Sequence, residues 1–440
     1  MDRSDFKNIL EKYGQTAFLS MFDELPDKNR EAILAQADLI DFSMLEGIKT
    51  SKTSQIRGKI EPIRTLRIAD YAEDTEKYRK VGIDAIKNGK VAALMLSGGM
   101  GTRLGAKGAK GMVDIGLTKK VYIFQRLFEN MLDVVREADA WFHVFIMTSI
   151  LNDEDTRAFL AEHDYFGYRG EYVHFYMQDM APCLNADGNM FLEAPDRIAI
   201  SPNGNGGFYS SLVGSDCESV LHNGSIEFVN VFSVDNVLQR ICDPVFVGAV
   251  IDNGAACGAK VVVKASPDEK VGAMCLEDGT PSVVEYYEMT DELKAAKLED
   301  GEPAYNYGVI LNYLFRVNDT DKVVAKKLPM HLVRKKVPYL GYPDGRPADL
   351  EAVRRIKEES EKQERIFEGS AVTAGLTTIA PDQPNADKPE LLSLDLVHLL
   401  STCLPFEVLR EKEFAPIKNA TGTDSVESAR ELLKANGYVL

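Results

Sequence analysis

The chain has 440 residues, 45% hydrophobic and 27% charged, the balance of an ordinary globular protein with room for two or three domains and a sizeable core. Its net charge of −17 excludes a basic nucleic-acid-binding face, and it requires any anionic substrate to be gathered by a local cluster of cations inside a repelling field. No apolar run reaches membrane-spanning length, the opening Met1-Asp-Arg-Ser-Asp-Phe6 lacks a signal-peptide pattern, and the six cysteines form no C-x-x-C pair, so the expected setting is the cytosol, with no membrane partner and reduced thiols.

Over roughly the first 50 residues, apolar positions recur at helical spacing: Phe6, Ile9, Leu10 and Tyr13, then Phe18, Leu19 and Phe22. Beyond Leu25-Pro26-Asp27 the stripe resumes with Ile33, Leu34, Ala37 and Ile40. This predicts a helical N-terminal module (residues 1–88) with no chemistry of its own, the polar and basic stretch 51–60 serving as a linker. From Val91 the pattern changes. Short apolar runs at 91–96, 142–147, 172–177, 226–232, 260–263 and 282–286 alternate with helical segments, one of which carries Ile123, Phe124, Leu127, Phe128, Met131 and Leu132 on a single face. Such alternation predicts an α/β domain over residues 89–396, built on a mainly parallel sheet covered on both faces. The Glu- and Arg-rich stretch 350–368 reads as a solvated surface helix, and 382–389 as a loop. A small C-terminal domain (397–440) follows, with a strand-like run from Phe406 and a last helix around 428–434.

The first of those strands runs into Leu96-Ser97-Gly98-Gly99-Met100-Gly101-Thr102-Arg103-Leu104-Gly105, with Lys110-Gly111 just beyond. Gly98, Gly99, Gly101 and Gly105 leave the backbone free to approach a ligand, and Arg103 and Lys110 set two cations beside it, so the expected ligand is a polyphosphate. In an open α/β sheet, ligands bind beyond the carboxyl ends of the strands, where this loop falls. It is not a Walker A loop, because no Gly-Lys is followed by Ser or Thr. Leu104 stands where a dinucleotide fingerprint needs its third glycine, which disfavours an NAD-dependent oxidoreductase. The bland alternative is a strand-to-helix turn with stray cations; Arg and Lys at these spacings weigh against it.

The ungapped run L-x-G-G-x-G-T-R-L-G-x(4)-K-G resembles the signature of the UDP-sugar pyrophosphorylases, above all the eukaryotic-type UDP-N-acetylglucosamine pyrophosphorylases, and the resemblance extends from about residue 13 to the end. It implies a Rossmann-like nucleotidyltransferase sheet with a helical N-terminal module and a small C-terminal domain. It also implies that Leu96, Ser97, Gly98 and Gly99 meet UTP. Where the family has Pro before the lysine, this chain has Ala109. Gln178, in Tyr176-Met-Gln-Asp179, matches a glutamine that reads the uracil edge, an amide suiting an imide-containing base. Ser201-Pro-Asn-Gly-Asn-Gly-Gly207 matches P-[DN]-G-[NH]-G-G, which gives Gly204 to uracil and Asn205 to the sugar. Asp235, ending the apolar run Val229–Val234, matches the family's metal-linked aspartate. Gly272, Glu285, Tyr286 and Asn306 match sugar-pocket positions, Lys388 matches a lysine that contacts the triphosphate of UTP, and Lys418 lies in a late family signature just past Pro416, where the last domain folds over the nucleotide. Three positions depart: Val309 replaces a second asparagine, and Leu392 and Leu394 replace two aromatics. Read without the resemblance, Gln178 is equally a polar strand end, Asp235 a helix N-cap and each lysine a solvated charge.

The reaction so implied joins UTP to N-acetylglucosamine 1-phosphate, releasing pyrophosphate, in a monomer or weak homodimer. Its nucleophile is already ionised, so positioning and cations replace a general base. Arg103 and Lys110 are assigned to the UTP phosphates, Lys388 and Lys418 to the sugar phosphate and transferring phosphoryl group, and Asp235 to Mg²⁺, with Mn²⁺ as the other metal. The alternatives are a UDP-glucose or broad UDP-sugar pyrophosphorylase, and a catalytically silent nucleotide-binding homologue that need not keep these cations.

Overall fold

The computed structural model describes residues 1–46, 57–106, 108–324, 328–363 and 374–440. Its main sheet has ten strands: β1 (Ile60–Glu61), β2 (Val91–Leu96), β3 (Val144–Thr148), β4 (Val173–Met177), β5 (Phe228–Ser233), β6 (Cys257–Val263), β7 (Ala273–Glu277), β8 (Thr280–Val284), β9 (Tyr307–Arg316) and β10 (Cys403–Glu407). Along the sheet the order is β1-β7-β9-β5-β2-β3-β4, with β6 joining β9 to β10 and β8 paired to β7. The strands β4, β3, β2 and β5 run parallel, as their alternation with helices predicts. β9 runs antiparallel to β5 and to β6.

Every residue of β2 is buried, as a central parallel strand requires. Its alternate side chains feed two cores. Ala93 and Met95 join Phe124, Phe128, Met131 and Ile146, while Ala92, Leu94 and Leu96 join Phe145, Phe208 and Val231. The helix Ile123–Ala138 supplies the first core with the face its spacing predicts, and Asp139 ends it in a left-handed cap at φ 48°. β9 was not among the expected strands. It carries Leu311 at φ 51°, and its pairing with β6 shifts register between Ala259 and Val261, a bulge that hides the strand's period.

Two compact units can be distinguished, each drawn from three stretches: 1–55, 179–207 and 329–392 in one, and 56–178, 208–328 and 393–440 in the other. The main sheet lies wholly in the second. In the first, the helices Arg3–Lys12, Thr16–Glu24 and Asp27–Ala37 bury Phe6, Phe18, Phe22 and Ile33 in one cluster with Leu192, Val353 and Ile356. Two expectations are corrected there. The helix Leu350–Gln363 is not merely solvated: Ala352, Val353 and Ile356 form a narrow buried stripe that its charged majority conceals. The stretch expected to be a loop includes part of the strand Ala386–Glu390, which pairs with His331–Lys335. The linker positions 51–56 and the helix positions 364–368 lie outside the described residues. No helix among the described residues is long and apolar enough to cross a membrane.

Candidate active site

β2 ends at Leu96, and the Ser97 N–H continues its ladder to the Met147 carbonyl at 2.8 Å. The glycine loop then folds back on itself, Gly101 N–H donating to Gly108 O at 2.9 Å and Lys110 N–H to Gly99 O at 3.1 Å. Gly105 sits at φ 76°, where a side chain would be strained. Two residues beyond β3 brace the loop from beneath. Asn152, 1% exposed, donates from Nδ2 to Ser97 O at 2.9 Å and Gly99 O at 3.4 Å, and Ser149 Oγ donates to Gly98 O at 2.9 Å. Neither was singled out from the sequence. Their signal is only that two amide or hydroxyl residues follow a strand that pairs beside the loop strand. Gln178, buried at the end of β4, lies against Gly98, whose missing Cβ would stand 3.0 Å from its Oε1.

Arg103 is exposed on the single turn Thr102–Leu104. Lys110 opens the turn Lys110–Met112, and its Nζ reaches Asp235 Oδ2 at 3.3 Å, each side chain 18% exposed. Asp235 follows β5, the parallel neighbour of β2, so adjacent strand ends bring a cation and a carboxylate together across 125 residues of sequence. The Asp235 carbonyl in turn accepts the Ile417 N–H at 2.9 Å, which places Lys418 beside the same turn. Lys418 Nζ is paired to Asp424 at 3.2 Å.

Glu285 begins just past β8. Burial raises its carboxyl above the ordinary range and the Glu288 charge adds to this, while Arg57 and, more weakly, Lys418 pull it back. Lys418 is therefore felt electrostatically at Glu285 while its backbone neighbour is tied to Asp235. Gly272 faces Glu285, since a Cβ there would stand 2.7 Å from Val283 Cγ1 and 3.3 Å from Glu285 Oε1. Its carbonyl accepts the Val309 N–H at 2.9 Å. Tyr286 is 42% exposed, edge-on to Tyr287 with ring centroids 5.2 Å apart. Asn306 precedes β9, accepts the Lys264 N–H on its carbonyl at 2.8 Å, and borders a narrow crevice with Met289 and Tyr305.

The other compact unit contains Gly204, Asn205 and Lys388. Gly204 sits at φ 89°, and a Cβ there would stand 2.3 Å from the Leu391 carbonyl, so both conformation and space demand glycine. Asn205 opens the turn Asn205–Gly207, held by Gly206 N–H to Leu391 O at 2.8 Å and Leu391 N–H to Asn203 O at 2.7 Å. Lys388 stands on the strand Ala386–Glu390 opposite Val333.

A family model described as UTP–glucose-1-phosphate uridylyltransferase matches residues 42–340 of this chain. The chain belongs to that family. Among its relatives, UDP-N-acetylglucosamine diphosphorylase 1 of Arabidopsis thaliana is 33% identical over 96% of this chain and 81% of its own length. UDP-N-acetylhexosamine pyrophosphorylase-like protein 1 of Mus musculus is 31% identical over 99% of this chain and 84% of its own. The crystal structure of the uridine diphosphate N-acetylglucosamine pyrophosphorylase from Trypanosoma brucei superimposes with a TM-score of 0.79 at 24% identity, over 99% of this chain and 85% of that one, which establishes the shared fold.

Against the uridylyltransferase family's usual pattern, the departures acquire a structural setting. Ala109 is buried at φ −59° and ψ 146°, the φ that the family's proline would impose, so the loop holds that shape without the ring. Val309 packs partly against the apolar cluster containing Val261, Met274 and Tyr313. Leu394 packs against the same cluster, while the Leu392 backbone closes over Gly206.

Proposed function

We propose that this chain transfers a uridylyl group from UTP to N-acetylglucosamine 1-phosphate, giving UDP-N-acetylglucosamine and pyrophosphate. The observation that carries the reading is the convergence of Lys110, Asp235 and the Lys418-bearing segment at the carboxyl ends of β2 and β5, beside the glycine loop. A phosphate oxygen of the sugar phosphate attacks the α-phosphorus of UTP; the new P–O bond forms as the bond to the bridging oxygen breaks, and the electron pair leaves with pyrophosphate. Both substrates are polyanions, so the work of the site is to hold them in line and to neutralise charge as it moves to the leaving group.

In this reading the loop backbone from Leu96 to Gly99 cradles the nucleotide, Gln178 and Gly204 meet uracil, and Arg103 and Lys110 meet the UTP phosphates. Lys388 and Lys418 serve the sugar phosphate and the transferring group; Asn205, Gly272, Glu285, Tyr286 and Asn306 serve the sugar. Among the described residues no group of three or more His, Cys, Asp or Glu is placed to hold a metal. One part-exposed carboxylate, Asp235, fits a Mg²⁺ that arrives bound to the nucleotide, because that ion keeps most of its shell as water and phosphate oxygens. When bound there, Mg²⁺ would neutralise phosphate charge. The setting we propose is the cytosol, supported by six free cysteines, and the working form a monomer or weak homodimer.

Pyrophosphate release, measured with UTP and Mg²⁺ against N-acetylglucosamine, N-acetylgalactosamine and glucose 1-phosphates, tests the proposal. The expected order of kcat/KM has N-acetylglucosamine 1-phosphate first. No release with any of the three overturns the enzyme reading, and a glucose preference above about tenfold overturns the sugar.

A further inference from the structure

The turn that carries Asp235 and the segment that carries Lys418 are far apart in sequence, and something must fix one against the other. Asn236 is 1% exposed and faces that segment. Its Nδ2 donates to the Glu413 carbonyl at 2.7 Å, and its Oδ1 accepts the Ala415 N–H at 2.9 Å. Main-chain bonds flank it on both sides, Ile417 N–H to Asp235 O at 2.9 Å and Val237 N–H to Ala415 O at 3.3 Å. Those two bonds flank the antiparallel pair Asn236 and Pro416, in which neither main-chain N–H faces the other, so the proline costs the pairing nothing. The Asn236 side-chain amide adds the Ala415 N–H and the Glu413 carbonyl to what the main chain holds.

The far side of the segment is fixed as well. Lys260, fully buried, donates to Glu413 Oε2 at 2.6 Å, to Asp243 Oδ2 at 3.3 Å and to Arg240 O at 3.0 Å. The Arg240 N–H also donates to Glu413 Oε2, at 3.1 Å. Glu413 is therefore held by its carboxylate from behind and by its carbonyl from Asn236. Residues 413–417 are thus tied to the Asp235 turn by main-chain and side-chain bonds, and Lys418 follows directly.

We infer that Asn236 is a positioning residue for uridylyl transfer: its amide clasps the 413–417 segment and so fixes Lys418 relative to Asp235 and Lys110. The inference rests on the proposed role of Lys418. A lysine that stabilises charge only in the transition state must be placed to within a fraction of an ångström, and misplacement by about 1 Å costs on the order of 10²-fold. Asn236 is buried with its amide on the 413–415 backbone, so its loss should act on turnover and not on the binding of UTP.

Asn236→Asp keeps the shape and the acceptor for Ala415 but turns an oxygen toward the Glu413 carbonyl. Assayed below its melting transition with UTP, Mg²⁺ and N-acetylglucosamine 1-phosphate, it should lose about tenfold or more in kcat while KM for UTP stays within about twofold. Combined with Lys418→Ala it should cost nothing further, because its effect passes through Lys418; a merely structural defect would add to that loss. If Asn236→Asp fails to fold, Asn236→Ser, which removes both links without introducing the opposed oxygen, carries the same expectation. Full turnover in the Asn236 variant beside a crippled Lys418→Ala overturns the inference alone, as does an additive double variant. Full turnover in Lys418→Ala overturns the role of Lys418 and the inference with it.

Discussion

At the carboxyl ends of β2 and β5 the candidate site is held by backbone bonds and buried amide and hydroxyl side chains, with Asn152 and Ser149 bonded to the glycine loop and Asn236 beside the Asp235 turn. Along β7, β8 and the start of β9 it is held by fit instead: the missing Cβ of Gly272 against Glu285, the half-exposed Tyr286, and the Val309 side chain against the apolar cluster. The first kind of construction fixes charges in space. The second shapes a surface whose outline changes with one side chain. Charge stabilisation at a transition state is steep in position, whereas discrimination between sugars is a matter of a few contacts. The loop end should therefore govern whether the reaction runs and the hairpin end which sugar it takes.

The largest effects should come from the loop end. Arg103→Ala, Lys110→Ala and Lys418→Ala should each lower kcat by ~10²-fold or more, the scale of removing one stabilising charge, with circular dichroism unchanged because these side chains are at least partly exposed. Asp235→Asn should in addition raise the Mg²⁺ concentration needed for half-maximal activity. A variant that loses activity only in step with its helical signal assigns its residue to structure, and an unaltered metal requirement removes Asp235 from the metal.

At the hairpin end the effect should be on a ratio. Val309→Asn restores the family's amide, and it should raise the preference for N-acetylglucosamine over glucose 1-phosphate on the order of tenfold in kcat/KM. The methyls it replaces pack against the apolar cluster that contains Val261 and Tyr313, so some loss of thermal stability should accompany the change. An unchanged ratio would show that the position does not face the sugar.

These two ends were not equally legible in the sequence. Glycines and cations crowded into one run announce a phosphate loop, since few other structures require that combination. The strands β2 to β5 announce themselves through apolar runs of the right length. β9 escaped because its bulge at Leu311 breaks the alternation that would have revealed it. The residues that hold the loop end, Asn152, Ser149 and Asn236, escaped for a different reason: a buried amide or hydroxyl looks like any polar residue until its partners, contributed by distant segments, are known. The same holds for the N-terminal helices, whose apolar stripe was readable but whose packing against Val353 and Ile356 was not.

A smaller effect distinguishes the ends by pH. Burial holds the Glu285 carboxyl above its ordinary range, so folding takes up a proton between the unfolded and folded values. Its contribution is therefore most favourable at low pH and is lost as pH rises through that window, leaving a cost at neutrality. Glu285→Gln should raise the melting temperature at pH 7, leave it nearly unchanged near pH 4, and weaken binding of the sugar phosphate. A lower melting temperature at pH 7 would mean that the carboxylate is stabilised by partners stronger than its burial.

The smallest effect concerns Ala109, where the loop end departs from its family. Proline there would fix a φ that the alanine already adopts at −59°. The hydrogen bonds that close the loop come from Gly101 and Lys110, so a proline at 109 removes neither of them. Substitution at such a position acts through the unfolded chain, which has fewer conformations to lose, and gains about 0.4–1 kcal/mol. Ala109→Pro should therefore raise the denaturation midpoint slightly with an unchanged denaturant slope, and leave kcat within about twofold, because Lys110 is already positioned by the folded loop. A marked rise in kcat would show instead that alanine leaves Lys110 loosely placed, and that rigidity at the loop end is incomplete in this chain. A fall in stability would mean that the ring meets the tightly packed wall around this fully buried residue.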